Sequence, residues 1–256
     1  SNVVTITVIQ PVTTANAGPD QQLCNVASAT LAGNNPASGT GTWTQISGPS
    51  TASFTNPNAY NTTVSGLATG TYQFQWTISN NTCASSQSTM KVTVYAATVA
   101  GTLAAPATVC ATSNNGTLNL TGYTGTINKW EYSINNGSTW TAIANTTASY
   151  TYNNLTANTQ FRAEVQNAVC PALISTAVTI TVLQPVTTAN AGSDQQLCNV
   201  SSAKLSANTP TSGTGTWSMV SGPAAVTFTN PNDPATTVNG LQAGTYQLAW
   251  TISNAA

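Results

Sequence analysis

Gly70-Thr-Tyr-Gln-Phe-Gln-Trp-Thr-Ile-Ser79 alternates large apolar and polar side chains, and it returns as Gly244-Thr-Tyr-Gln-Leu-Ala-Trp-Thr-Ile-Ser253. A period of two marks a strand with one buried face. Tyr72, Phe74, Trp76 and Ile78 are therefore expected on a core, as are Tyr246, Leu248, Trp250 and Ile252, with the interleaved Gln and Thr facing out. The return extends far beyond the strand. Residues 5–82 slide onto 179–256 without a gap and with about two thirds of positions identical, so the chain is a tandem array with a period of 174.

The most faithful part of the repeat is Thr5-Ile-Thr-Val-Ile-Gln-Pro-Val-Thr-Thr-Ala-Asn-Ala-Gly-Pro-Asp-Gln-Gln-Leu-Cys24, which recurs as Thr179 to Cys198. Residues 1–8 also match Ser175 to Val182. The expected organisation is the last strand of a preceding B-type module (1–9), an A-type module (10–95) and a B-type module (96–183). A second A-type module (184–256) follows, truncated before its last strand.

No window sustains helical periodicity. Short alternating runs rich in Thr, Val, Tyr and Trp are separated by Gly, Pro and Asn turns, the pattern of an all-β sandwich of immunoglobulin-like type. Strands are predicted at 20–24, 28–33, 41–47, 51–55, 61–65, 71–79 and 87–95 in the A module. In the B module they are predicted at 107–110, 117–123, 127–134, 139–143, 148–152, 159–167 and 173–183. Asn135-Asn-Gly-Ser138 has the residues that tolerate positive φ in a tight hairpin. Pro11 and Pro185 stiffen the short linkers, so an extended array with small contacts between modules is expected.

Only nine residues carry charge, 4 % of the chain, and the net charge is −1. That excludes a basic footprint for nucleic acid and a polybasic membrane patch. The apolar runs are strand-sized, so no membrane insertion is expected in this segment. There is no histidine, hence no Ser-His-Asp triad, no Cys-His dyad and no imidazole base. No catalytic, cofactor-binding or metal-ligating residue is expected, and the chain is read as non-enzymatic.

Cys24 and Cys83 stand 59 residues apart, Cys110 and Cys170 stand 60 apart, and Cys198 has no partner at that spacing. One pair per module at constant spacing predicts two disulfides, Cys24 with Cys83 and Cys110 with Cys170, in an oxidising, extracellular setting. Cys198 is read as unpaired by truncation, its mate falling one residue past Ala256.

Lys129, Glu131, Arg162 and Glu164 are the charges of the B module, at i, i+2 on two strands expected to be neighbours. A cross-strand ladder of ion pairs is the expectation, rather than a glycosidase-like carboxylate pair. Asp20 and Asp194 open the A modules. Calcium needs several oxygens and usually several acids, so turn capping is preferred at both. Alternation does not fix the facing of Trp140, Tyr150 and Tyr152: edge-strand packing is the preferred expectation, and as candidate surface aromatics in an open platform they would suit sugar stacking.

The A module, with Ala15-Asn-Ala-Gly-Pro-Asp20, Gly41-Thr-Trp43, Ser47-Gly-Pro49 and Gly70-Thr-Tyr72, resembles PKD-type immunoglobulin-like modules. The B module, with Trp130-Glu-Tyr-Ser, Asn136-Gly-Ser-Thr-Trp140 and Phe161-Arg-Ala-Glu-Val-Gln166, is similar to repeats in very large surface proteins of gliding Bacteroidetes. The alternating pair resembles the repeat region of SprB-type gliding adhesins. That resemblance implies type IX export, display outside the outer membrane of a Gram-negative bacterium, and adhesion during gliding motility. The chain is then expected to be a stalk or filament segment. Its partners would be neighbouring repeats, with surface polysaccharide or abiotic surfaces as further candidates. A glycan- or surface-binding module and a self-assembling fibre subunit are the alternatives, and burial of Trp140, Tyr150 and Tyr152 would favour the spacer.

Overall fold

The computed structural model describes residues 2–104, 108–111 and 113–254. Residue 107 of the expected strand 107–110, Ser1 of the segment 1–9, and the last two residues of the third module lie outside them.

The first sandwich comprises β1 (Gln21–Cys24), β2 (Ser28–Thr30), β3 (Thr40–Ser47), β4 (Ser53–Phe54), β5 (Thr63–Ser65), β6 (Gly70–Ser79) and β7 (Ser86–Tyr95). One sheet runs β1-β7-β6-β3 and the other β2-β5-β4. The alternating side chains of β6 decide the packing. Tyr72, Phe74, Trp76 and Ile78 are fully buried, and Met90, Val92 and Val94 of β7 close the same core. Trp43 and Trp76, opposite each other in the β3–β6 register, pack with ring centroids 5.1 Å apart. Gly41 makes room for this: a Cβ there would overlap the Trp76 ring.

The second sandwich contains β8 (Thr102–Leu103), β9 (Thr108–Cys110), β10 (Asn115–Thr121), β11 (Thr126–Ser133), β12 (Thr141–Ile143), β13 (Ser149–Asn153), β14 (Thr159–Gln166), β15 (Leu173–Ile174) and β16 (Val178–Leu183). Its sheets run β12-β11-β14-β16-β9, with β15 beside β14, and β13-β10-β8. Trp130 is fully buried and donates its indole N–H to the Thr147 carbonyl at 3.0 Å. Asn136 and Gly137 both have positive φ, 55° and 81°, as a tight turn of the primed kind requires.

In both sandwiches the first-sheet edge strand runs parallel to the last strand. Gln21 to Cys24 lie beside Val92 to Tyr95, and Thr108 to Cys110 lie beside Thr181 to Leu183. Each edge strand therefore finishes where the module finishes.

The third sandwich has β17 (Ser202–Lys204), β18 (Thr214–Ser221), β19 (Thr227–Phe228), β20 (Thr237–Asn239) and β21 (Gln247–Ser253). It contains no counterpart of β7 among the described residues, and the effect is local. Gln195–Cys198, the repeat-mates of β1, form no strand, because the ladder partner of β1 is β7. Tyr246 and Leu248 are only half-buried where Tyr72 and Phe74 are fully buried, so this stretch is less of a core than its alternation predicts.

Residues 2–20 form no strand, correcting the expectation of a strand at 1–9. Val3 and Val8 are 92 % and 85 % exposed. The equivalent Val178–Leu183 is a strand because β14 and β9 flank it. Among the described residues nothing offers residues 2–8 either neighbour.

Candidate functional site at the module joint

The expected disulfides within modules are not the ones formed. Cys24 is bonded to Cys170, 146 residues away in the next module, with Cα atoms 5.0 Å apart, and Cys83, Cys110 and Cys198 are free thiols. Strand direction explains the correction. Cys24 ends β1 beside Tyr95, at the finishing pole of its sandwich. Cys83 lies in the hairpin between β6 and β7, at the opposite pole. The ten residues of β7 separate them, which at about 3.3 Å per residue is roughly 30 Å, far beyond disulfide reach. The same reasoning separates Cys110, beside Leu183, from Cys170 in the hairpin that follows β14.

A polar clamp surrounds the bond. Asn167 donates its side-chain amide to the Ala96 carbonyl at 2.8 Å, and its backbone N–H to the Thr98 hydroxyl at 3.1 Å. Gln166 donates to the Cys170 carbonyl at 3.0 Å. The Asn25 N–H extends the parallel ladder by one step to the Tyr95 carbonyl at 2.9 Å. The Asn167 bonds tie the sixth-to-seventh-strand hairpin of one module to the residues that follow the last strand of the module before it, and the other two brace the groups that carry the cysteines.

The clamp recurs at the other joints. Asn80 donates to the Gln10 carbonyl at 3.0 Å and Asn254 to the Gln184 carbonyl at 2.9 Å. Sequence alone does not single out these asparagines. The available signal is their spacing: Asn80, Asn167 and Asn254 stand 87 residues apart, the first two each three residues before a cysteine.

The four charges of the second sandwich meet on one sheet face. Lys129 is opposite Glu164 and Glu131 opposite Arg162 in the β11–β14 register. Lys129 Nζ lies 2.8 Å from Glu131 and 3.4 Å from Glu164, and Arg162 Nε lies 2.7 Å from Glu131. Burial opposes ionisation of Glu131, but hydrogen bonds from Lys129 and Arg162 outweigh it and hold the carboxyl below its ordinary range. The hydrogen bond to Glu131 raises Lys129 against a smaller effect of desolvation. Every acid here is matched to a base, an arrangement that favours a structural brace.

The three candidate surface aromatics do not make a platform. Tyr152 is only 5 % exposed and packs on Phe161, with centroids 5.9 Å apart. Tyr150 is half-buried between Trp130 and Phe161. Both face inward from β13 onto Trp130 and Phe161 of the opposite sheet, Tyr152 within the core and Tyr150 packed against it. Trp140 is half-buried, with the Arg162 guanidinium 3.8 Å from its ring centroid, a cation–π contact that occupies its face.

Asp20 accepts the Lys91 backbone N–H at 2.7 Å, so it pins the entry of β1 to β7 rather than capping its own turn. Among the described residues no three His, Cys, Asp or Glu side chains converge as a metal site. Two hollows on the surface are open. One is lined by Thr102, Leu103 and Val178 and the other by Asn25, Val26, Leu67 and Val94, and neither holds an acid, base or thiol. No helix among the described residues is long and apolar enough to cross a membrane.

Residues 17–94 match a family model described as K319L-like, PKD domain, and residues 99–184 match one described as a domain of unknown function (DUF8696). The chain is thus a tandem of PKD- and immunoglobulin-like β-sandwiches, its first sandwich a PKD-like domain. No curated protein matches it. Among solved structures, the PKD domain from KIAA 1837 protein is 31 % identical over 37 % of this chain and 93 % of that one, with a TM-score of 0.29. A marsupial T cell receptor is 10 % identical over 96 % of this chain and 100 % of that one, with a TM-score of 0.47. Murine CEACAM1b is 16 % identical over 68 % and 100 %, with a TM-score of 0.43.

Proposed function

We propose that this chain is a stalk or filament segment of a large extracellular adhesin, and that its biochemical work is mechanical. The observation that carries this reading is the Cys24–Cys170 bond, which joins one module covalently to the next rather than bracing a module internally. A structural disulfide fits an oxidising compartment, and so a cell-surface location. The modules span 10–95, 96–183 and 184–256, with residues 1–9 belonging to a preceding B-type module, and their partners are neighbouring repeats of the same protein. The segment takes no cofactor and catalyses no reaction. Display on the outer membrane through type IX export, and a part in gliding motility, belong to the same reading and draw on the resemblance of the repeated motifs to SprB-type adhesins.

The glycan-binding alternative needs an open aromatic face, and Tyr150 and Tyr152 are instead packed in the core. The test is electron microscopy of the whole parent protein on cells, labelled with an antibody to this segment. Thin projections bearing label along their length are expected. A compact particle close to the cell body would overturn the stalk.

A further inference from the structure

Cys83 and Cys110 are free thiols at complementary stations of the B-to-A joint, the hairpin station and the edge-strand station, and they are unexplained by the Cys24–Cys170 bond. We infer that they are halves of a second set of joint disulfides. The edge-strand cysteine of every module is bonded to the hairpin cysteine of the module that follows, at B-to-A joints as well as A-to-B joints. The inference rests on the array reading and extends it.

Repeat-mates make the comparison direct, since Ile9 and Gln10 correspond to Leu183 and Gln184. At the A-to-B joint, Cys170 Sγ lies 3.2 Å from the carbonyl oxygen of Ala96, the residue after Tyr95, and Tyr95 is the register partner of Cys24. At the joint preceding the first sandwich, Cys83 Sγ lies 3.6 Å from the carbonyl oxygen of Gln10 and 3.8 Å from that of Ile9. The repeat-mate of Gln10 is the residue after Leu183, and Leu183 is the register partner of Cys110. The hairpin cysteine therefore meets the same step of the preceding module's last strand at both joints, and the edge-strand cysteine of that preceding module stands beside the same step.

Two further observations agree. The Ala111 N–H bonds the Leu183 carbonyl at 2.9 Å, as the Asn25 N–H bonds that of Tyr95. The Asn254–Gln184 hydrogen bond brings the end of β21 to the end of the strand that Cys110 flanks. Spacing fits as well. Cys24 to Cys170 is 146 residues, and a cysteine placed one 174-residue period after Cys83 would stand 147 residues from Cys110.

Formation of each bond removes two protons and two electrons from a pair of thiols. A disulfide-class oxidant, oxidised glutathione or the disulfide of an oxidoreductase, accepts them by thiol–disulfide exchange and is itself cleaved to two thiols.

The test extends the 256-residue chain at its C-terminus with its own residues 83–256, which continues the repeat in register because Thr82 and Ala256 are repeat-mates. After oxidation in a glutathione buffer, non-reducing digestion and mass spectrometry should recover three cross-links. They join Cys24 to Cys170, Cys110 to the added copy of Cys83, and Cys198 to the added copy of Cys170. Maleimide should label Cys110 in the original chain and fail to label it in the extended one. A Cys110 that stays labelled while Cys24–Cys170 forms would overturn the inference and leave the array reading standing. A Cys110–Cys83 cross-link within the original chain would overturn it as well. Absence of all joint bonds would overturn the inference and the array reading together.

Discussion

Glu131 is the one charged side chain that is buried among the described residues, 7 % exposed, and it is held by two cations. Glu131→Gln removes the charge that both of them face. Lys129 and Arg162 remain partly in water, which screens the loss, so destabilisation of the second sandwich by about 1–2 kcal/mol is expected in denaturant titrations. The pH dependence follows from the directions of the shifts. Glu131 is lowered from 4.5, so its contribution is present above that value and disappears as pH falls through the lower folded value. Lys129 is raised from 10.5, so its contribution is present below that value and disappears as pH rises through the higher folded one. Thermal melts should therefore be flat through neutrality and fall off at both extremes, and Glu131→Gln should remove this residue's part of the acid decline. The ladder was legible because alternation over Lys129–Glu131 and Arg162–Glu164 needs only the strand period. The asparagine clamp was not, because Asn is common throughout this chain and each contact reaches about 70 residues away.

β7 illustrates what one strand contributes to such a sandwich. It supplies Met90, Val92 and Val94 to the core and is the ladder partner of β1. The third sandwich, with the same β21 motif and no such strand among the described residues, keeps four hydrophobic side chains buried, Trp217, Val238, Trp250 and Ile252. Extension of the chain after Ala256 by residues 83–95 alone should restore strand pairing to Gln195–Cys198 and bury Tyr246 and Leu248. It should also stabilise that module by an amount on the order of a few kcal/mol, the burial of three apolar side chains less the cost of ordering the strand. Hydrogen exchange at residues 195–198 and 246–248 would register the change, and unaltered exchange there would contradict it. The long strands were readable because Tyr72 to Ile78 and Phe161 to Val165 alternate over several periods. β8 was not, because Thr102–Leu103 is two residues long and owes its existence to its pairing with β10. Residues 2–8 fail for the converse reason: their alternation is that of a strand, but pairing needs a neighbour.

At the scale of the whole molecule, the repeat was plain in the letters while the joint was not. A spacing of 59 or 60 within modules and one of 146 between them are both compatible with a 174-residue period. Only the parallel course of β1 and β7, which puts Cys24 and Cys83 at opposite poles, decides between them. That decision alters what happens under tension. A pull on the two termini passes from Cys24 to Cys170 through a single S–S link, so the intervening backbone is shielded from the force. At about 3.4 Å per residue, 146 residues would otherwise release roughly 500 Å of contour length. Single-molecule stretching in the presence of reductant should recover up to that much additional extension, and equal extension with and without reductant would contradict it. Between these two cysteines the sandwiches can melt without the tether growing longer, so overload softens this segment and leaves its length nearly constant.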